Sequence, residues 1–214
     1  MQLTHLGHAA VLIETGAVRV LIDPGNLTDG WRGLTDLDAI LVTHQHADHV
    51  DPDHAAALVI ANPQARVLVE PSVVGAVPLD RAEGFAAGDT ASLAGLTVTG
   101  VGGQHAIIHP DIPGIGNTGL LLTAEGEPTL FHPGDALAAV PSGVDVVAVP
   151  AYGPWAALKE TIDFARAVGA AKGFCIHEGL LAERGFQLVN GRLDAMTGTE
   201  MLDLRDGRPV TVTP

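Results

Sequence analysis

A run of five apolar or β-branched residues, Ala-Ile-Leu-Val-Thr at 39–43, leads directly into a dense group of polar side chains. Such a run predicts a strand that is buried on both faces. The loop that follows carries four potential metal ligands: His44, His46, Asp48 and His49. Imidazole and carboxylate groups are suitable ligands for zinc, iron or manganese. We therefore expect the chain to fold with a metal site at the carboxyl end of this strand.

Similar short aliphatic runs recur between Gly, Pro and Asp residues. They predict further strands over 9–14, 18–22, 66–69, 96–101, 119–123, 128–131, 145–149 and 172–176. Helices are predicted over 53–61, where Asp51-Pro52 reads as the cap and first turn, and over 154–168, where apolar residues recur at helical spacing. Strands outnumber helices, which favours an α/β (α+β) fold with sheet packed on sheet and helices outside. A length of 214 residues suits one domain over 1–214.

The charge balance limits the partners of the protein. Lys and Arg number 11 and Asp and Glu number 25, so the formal net charge is −14. Nucleic acid and anionic membrane are poor partners for such a chain, and a small-molecule substrate is expected instead. The start, Met1 to His5, has no secretory signal, and Cys175 is the single cysteine. These features predict a cytoplasmic protein and carry no prediction of its oligomeric state.

Three more potential ligands follow other predicted strands. His105 comes after the strand 96–101, Asp135 after 128–131, and His177 directly after 172–176. If the carboxyl ends of these strands lie on one edge of the sheets, all seven side chains converge there.

This pattern resembles the metallo-β-lactamase superfamily over nearly the whole chain. The segment His44-Gln45-His46-Ala47-Asp48-His49 matches the signature of that superfamily, and Leu21 to Gly25 resembles its early strand and turn. Gly7-His8-Ala9 and His132-Pro133-Gly134-Asp135 are similar to small single-domain members related to ascorbate-6-phosphate lactonase. The resemblance implies a four-layer αβ/βα sandwich with a two-metal site on one edge.

The resemblance also implies a role for each ligand. His44, His46 and His105 would hold the first metal, Asp48, His49 and His177 the second, and Asp135 would bridge the two. The expected cofactors are two divalent ions, Zn²⁺ by preference, with Mn²⁺ or iron as alternatives.

The function implied is hydrolysis of a small ester, lactone or phosphoester by a hydroxide that the two metals share, with Asp48 and Asp135 as the catalytic carboxylates. A protein nucleophile is not expected, because the chain has no Gly-x-Ser-x-Gly motif and Cys175 lies in a predicted buried strand. Two alternatives remain open: a mononuclear iron dioxygenase of sulfur compounds on the same fold, and a non-catalytic metal-binding protein. Candidate residues of the substrate pocket are His8, His109, Asn117 and Tyr152.

Overall fold

A computed structural model describes residues 1–16 and 18–214. In these residues the helices are α1 (Ala55–Ala61), α2 (Leu158–Val168) and α3 (Glu183–Thr197). The strands are β1 (Gln2–Gly7), β2 (Ala10–Thr15), β3 (Val18–Ile22), β4 (Ala39–Val42), β5 (Arg66–Val69), β6 (Ala82–Gly84), β7 (Thr90–Leu93), β8 (Leu96–Gly102), β9 (Thr118–Ala124), β10 (Leu130–His132), β11 (Val146–Pro150), β12 (Lys172–Ile176), β13 (Glu200–Leu202) and β14 (Val210–Thr211).

The strands form two seven-stranded sheets with mirrored patterns. The first sheet has the order β14-β1-β2-β3-β4-β5-β6 and the second has the order β13-β12-β11-β10-β9-β8-β7. Pairs from β14 to β3 are antiparallel and pairs from β3 to β6 are parallel. In the second sheet, β13 to β10 pair in parallel and β10 to β7 pair antiparallel.

The central strands are buried on both faces because their side chains alternate between two apolar cores. In β4, Ala39 and Leu41 join a core between the two sheets, whereas Ile40 and Val42 join a second core beneath α1. In β11, the residues Val146 and Ala148 face the central core, and those between them pack against α2 and α3. Successive side chains of a strand point to opposite faces, so a continuous apolar run serves both layers.

The strand directions bring the predicted ligand loops to common edges. β3 and β4 run in parallel, so the turn after β3 and the loop after β4 lie at one edge of the first sheet. In the second sheet β8 and β10 are both antiparallel to β9, and β10, β11 and β12 are parallel. The loops after β8, β10 and β12 therefore leave the same edge.

The predicted α/β fold with sheet on sheet and outer helices is confirmed, with differences at the helices. α2 begins at Leu158 rather than 154, because 153–156 forms a turn in which Gly153 pairs with Ala156. α1 begins at Ala55 rather than 53, because the Asp51 carboxylate accepts the backbone N–H groups of residues 53 and 54 and stabilises a preceding turn. The helix α3 and the strands β1, β6, β7, β13 and β14 were not predicted from the sequence. Among the described residues, no helix has the length and apolar character that crossing a bilayer requires.

Candidate metal centre

The seven predicted ligands lie together at the edge of the sandwich, in two groups. In each group the candidate ligand atoms all lie within 4.8 Å of one another. The first group contains His44, His46, His105 and Asp135. The second contains Asp48, His49 and His177 together with an eighth residue, His8. Each group draws on loops from both sheets. His46 and Asp48 are partly exposed, whereas the remaining members are buried.

Asp135 lies between the two groups. Its Oδ2 atom is 3.3 Å from His105 Nε2 in the first group and 3.1 Å from His177 Nε2 in the second. Its Oδ1 atom is 3.0 Å from His49 Nε2. A carboxylate with oxygens next to imidazole nitrogens of both groups has the position that a shared ligand requires.

The outer nitrogens of three histidines are held by acceptors, which fixes their tautomers. His49 Nδ1 donates to Asp23 Oδ2 at 2.7 Å, and His105 Nδ1 donates to the carbonyl of Ala106 at 2.6 Å. His44 Nδ1 is 3.1 Å from Thr43 Oγ1, whose own hydrogen goes to Asp23 Oδ2. With Nδ1 protonated, each ring in its neutral form directs an Nε2 lone pair into the site, as metal-binding histidines do.

His8 has the opposite tautomer, although it belongs to the second geometric group. The backbone N–H of Gly179 donates to His8 Nδ1 at 3.3 Å, so the ring proton resides on Nε2. That Nε2–H donates to Asp48 Oδ2 at 3.0 Å. His8 therefore has no lone pair directed into the site and instead holds the carboxylate of Asp48. The ring is buried behind the candidate ligand Asp48, and a contact of His8 with substrate stays a prediction.

Several buried polar atoms at the centre have no hydrogen-bond partner, and they test whether a metal suits this site. They include Nε2 of His49, His105 and His177 together with Oδ1 of Asp135. His49 Nε2 and Asp135 Oδ1 are 3.0 Å apart without the geometry of a hydrogen bond. Buried polar groups are rarely left unsatisfied, and several in one place indicate an ion that ligates them. The donor set of imidazole and carboxylate thus fits divalent transition metals.

The pKa values of the metal-free site follow from burial and from the close packing of charges. Burial lowers the pKa of His44 well below its ordinary value, and neighbouring His49 acts in the same direction, so this imidazole is neutral and able to coordinate. Burial alone would raise the pKa of Asp135, but His49, His105 and His177 outweigh it and hold that pKa well below the usual range. Asp135 is therefore ionised, as a metal ligand must be.

Asp23 is a site residue that sequence reasoning assigned only to a turn. It is fully buried, and its carboxylate accepts from His49 Nδ1, Thr43 Oγ1 and the Thr43 backbone N–H. Its φ of 49° lies in the left-handed region, where Asp is tolerated better than most residues. His177, with a φ of 62°, shares this unusual backbone at the edge of the other sheet. The available signal was the position of Asp23 at the end of β3, beside the end of β4.

The turn after Asp23 supports the ligand loop directly. A Cβ atom added to Gly25 would lie 1.7 Å from the carbonyl oxygen of Asp48, so only glycine permits this approach. Hydrogen bonds join the two segments on either side of this contact: Asn26 N–H donates to the carbonyl of Ala47, and Asp51 N–H donates to that of Pro24. The early strand and turn thus fix the position of the loop that carries four of the candidate ligands.

Two further residues position Asp135. Asn117 Oδ1 accepts the backbone N–H of Asp135 at 2.9 Å, and its Nδ2 donates to the carbonyl of Pro133 at 2.9 Å. Asn117 is buried, and its assignment to the substrate pocket stays a prediction. Trp155 Nε1 donates to Asp135 Oδ2 at 3.1 Å. Trp155 lies in the turn before α2 and not within a core helix, so the helical pattern misplaced it.

Two cavities adjoin the centre and share the segment 104–107 that carries His105. The loop cavity, of about 430 Å³, is enclosed by 104–110 and 112–115 with His46 at its side. The helix cavity, of about 600 Å³, lies between 104–107, 136–138, Trp155 and α2. His109 lines the loop cavity, and its role toward substrate stays a prediction. Tyr152 lines neither of these two cavities and is 43% exposed, and its assignment to the pocket stays a prediction.

A family model described as the beta-lactamase superfamily domain matches residues 2–172. The chain belongs to the metallo-β-lactamase superfamily. Protein Rv0786c of Mycobacterium tuberculosis is 41% identical over 212 residues, covering 99% of this chain and all of that protein. A protein of Azorhizobium caulinodans named UPF0173 metal-dependent hydrolase is 34% identical over 154 residues, which is 63% of each chain.

A solved structure is similar to this chain in fold. Igni18, a novel metallo hydrolase from Ignicoccus hospitalis, superposes with a TM-score of 0.75 at 16% identity, covering the whole of this chain and 98% of that one. The sequence-based prediction of a metallo-β-lactamase-superfamily hydrolase is thus confirmed at the level of the enzyme class. The more specific resemblance to the ascorbate-6-phosphate lactonase branch stays a prediction.

Proposed function

We propose that the protein hydrolyses a small ester, lactone or phosphoester with the help of two divalent metal ions, Zn²⁺ by preference. The observation that carries this proposal is the pair of ligand groups, with unpartnered imidazole nitrogens, on either side of the Asp135 carboxylate. His44, His46 and His105 would hold one ion, Asp48, His49 and His177 the other, and Asp135 both. A non-catalytic protein would have no need for so complete a set.

When bound, two such ions lower the pKa of water and polarise the bond to be cleaved. The residues of the chain supply the geometry. Asp23 orients His49, and Thr43 orients His44. His8 orients Asp48, and Asn117 and Trp155 orient Asp135. A ligand oxygen held by a second hydrogen bond loses less conformational entropy on binding, and removing such support commonly costs 10–100-fold in affinity or activity.

The exposed side of the centre indicates where substrate approaches. His46 and Asp48 are its partly exposed members, and the loop cavity opens beside His46 and His105. No arginine or lysine of the described residues lines either cavity, so the ions themselves must bind the polar group of the substrate. The long-range field of a chain with a net charge of −14 repels polyanions. We therefore infer a substrate that is neutral or singly charged.

The decisive experiment measures metal content and hydrolysis on the same preparation. Elemental analysis of protein purified without chelator should give two ions per chain, and an ester, lactone or phosphodiester should be turned over. Asp135→Ala should lose at least about 100-fold in turnover, more than loss of a supporting residue causes. Asp111→Ala is the matched control, because Asp111 lies on the 104–115 loop and its side chain is 91% exposed.

Saturation at one ion per chain under metal-replete conditions would contradict the two-metal proposal. Turnover and metal content of Asp135→Ala near those of the unmodified protein would contradict the shared role of its carboxylate. The far-UV circular dichroism spectrum should be unchanged in both variants, since the cores between and outside the sheets do not include these side chains.

A further inference from the structure

The helix cavity leads from the metal centre to the outer face of α2. Its inner end is formed by His105, a ligand, and by Trp155, whose indole donates to the Asp135 carboxylate. Its volume of about 600 Å³ is within the usual range of small-molecule sites. The cavity is therefore large enough for a substantial part of a ligand whose reacting group lies at the centre.

The walls of the helix cavity are mainly apolar. Ala136, Leu137 and Ala138 form one side, and Phe164 and Ala167 of α2 form the other. An apolar part of a ligand binds favourably between such walls because its hydrocarbon leaves water. A charged group binds unfavourably there because these apolar side chains cannot replace its hydrogen bonds to water.

The charged residues of the helix cavity are both acidic. Glu160 and Asp163 line it from α2. The Glu160 carboxylate is already engaged, since it accepts the Ala157 backbone N–H at 2.7 Å and lies 3.9 Å from Lys159 Nζ. Asp163, one turn further along, is exposed. The field at this end of the cavity consequently opposes a second negative charge on the ligand.

We propose that the helix cavity binds an uncharged alkyl or aryl arm of the substrate and discriminates against an anionic arm. This inference rests on the proposed function, because it places the cleaved bond at the seven-ligand centre. The substrate class is then an ester, lactone or phosphoester with an apolar substituent beside the reacting group. A sugar phosphate, with its hydroxyls and its doubly charged group, does not suit such walls.

A matched pair of fluorescent probes tests the cavity without requiring hydrolysis. N-phenyl-1-naphthylamine is neutral and apolar, and 8-anilinonaphthalene-1-sulfonate is the same ring system with one sulfonate. Titrated into the metal-loaded protein, the neutral probe should bind with enhanced emission, and the sulfonate about fivefold more weakly. Asp163→Lys should remove this preference. The proposed discrimination would be overturned if the two probes bound with equal affinity and Asp163→Lys changed neither affinity.

Filling the cavity tests the location. Ala167→Phe adds bulk to an exposed position of α2 that lines the cavity, and Ala195→Phe adds the same bulk to an exposed position of α3 outside it. Ala167→Phe should weaken the neutral probe by about tenfold or more, and Ala195→Phe should leave it unchanged. Ala138→Leu provides a second filling variant from the opposite wall. Unchanged binding in both filling variants would overturn the assignment of the cavity.

Kinetics separate this inference from the proposed function. Across p-nitrophenyl esters of increasing acyl length, kcat/KM should rise about fourfold per added methylene until the cavity is filled. Ala167→Phe should flatten that rise. If the variants change probe binding as expected but no ester, lactone or phosphodiester is hydrolysed, the result would support the assignment of the cavity and contradict the proposed function. Turnover that is independent of acyl length would overturn the inference and leave the proposed function standing.

Discussion

Replacing Asp23 by Asn should weaken metal binding through a change in the tautomer of His49. One oxygen of Asp23 accepts the Thr43 backbone N–H at 2.8 Å, and the other accepts His49 Nδ1–H at 2.7 Å. In Asp23→Asn the amide oxygen must keep the backbone donor, so the amide NH₂ faces His49. Two donors cannot share a hydrogen bond. The ring proton of His49 must then move to Nε2, which is the atom that faces Asp135.

The expected magnitude follows from the role of this contact. An Nε2 that carries a proton has no lone pair for an ion, and loss of a carboxylate behind a ligating histidine commonly costs 10–100-fold in affinity. That range corresponds to about 1.4–2.7 kcal/mol. Asp23 is fully buried, so water cannot replace the lost acceptor.

The assay is a competition titration of the zinc-loaded protein against a chelator of known affinity. Asp38→Asn is the matched control: Asp38 is exposed, and its carboxylate also accepts a backbone N–H, from Arg19 at 2.7 Å. Asp23→Asn should release its weaker-bound ion at a 10–100-fold lower chelator concentration, and Asp38→Asn should not differ from the unmodified protein. A change of less than about threefold in a folded Asp23→Asn variant would refute the tautomer argument.

Three further outcomes are expected. Gly25→Ala should lower both Tm and metal content, because its Cβ would lie 1.7 Å from the Asp48 carbonyl oxygen. Gly191 in α3 has open space around it, so Gly191→Ala should raise the free energy of unfolding by about 1 kcal/mol in urea titrations. Trp155→Phe should lower kcat about tenfold, with far-UV circular dichroism unchanged, since Asp135 loses one donor; an unchanged kcat would exclude that role. In the metal-free protein burial lowers the pKa of His177, but the carboxylates of Asp135 and Asp48 outweigh burial and raise it to about 9. The contribution of His177 to the free energy of unfolding is therefore fully present below pH ~6.5, and up to about 3 kcal/mol of it is lost as the pH rises through 9. The urea midpoint should fall over that interval. A midpoint that stays constant or rises would contradict the charge assignment.

The parts of the fold that follow from local sequence were predictable. β4 is apolar throughout, and β5 and β12 are apolar after a first basic residue, Arg66 and Lys172. A central strand that is buried on both faces requires such an apolar run. The short edge strands were not predictable, because β6 and β14 have two or three paired residues and exist through their neighbours. α3 was missed because Gly185 and Gly191 lower its helix propensity and its apolar residues are few.

The candidate site shows the same division. The convergence of the candidate ligands that follow strands could be predicted, since parallel strands end at a common edge. The groups behind them could not, because Asp23 contacts His49 across 26 residues and His8 contacts Asp48 across 40. Spacing along the chain carries no signal for such pairs. Trp155 was misplaced for a different reason: its helical spacing with later apolar residues is real, but α2 begins after it.

The order of strands in the sheets has a consequence for how the protein reaches its folded state. Among the described residues, neighbours in both sheets are consecutive along the chain, apart from β14 and β1. Pairings between consecutive strands close shorter loops than contacts between the two sheets do, so the contacts between the sheets are expected to form later. His8 and Asp48 belong to loops of the first sheet, yet they meet His177 only when the second sheet has docked. Binding of metal during refolding should accordingly follow the formation of the strands. The absorbance of bound Co²⁺ would therefore report the docking of the two sheets.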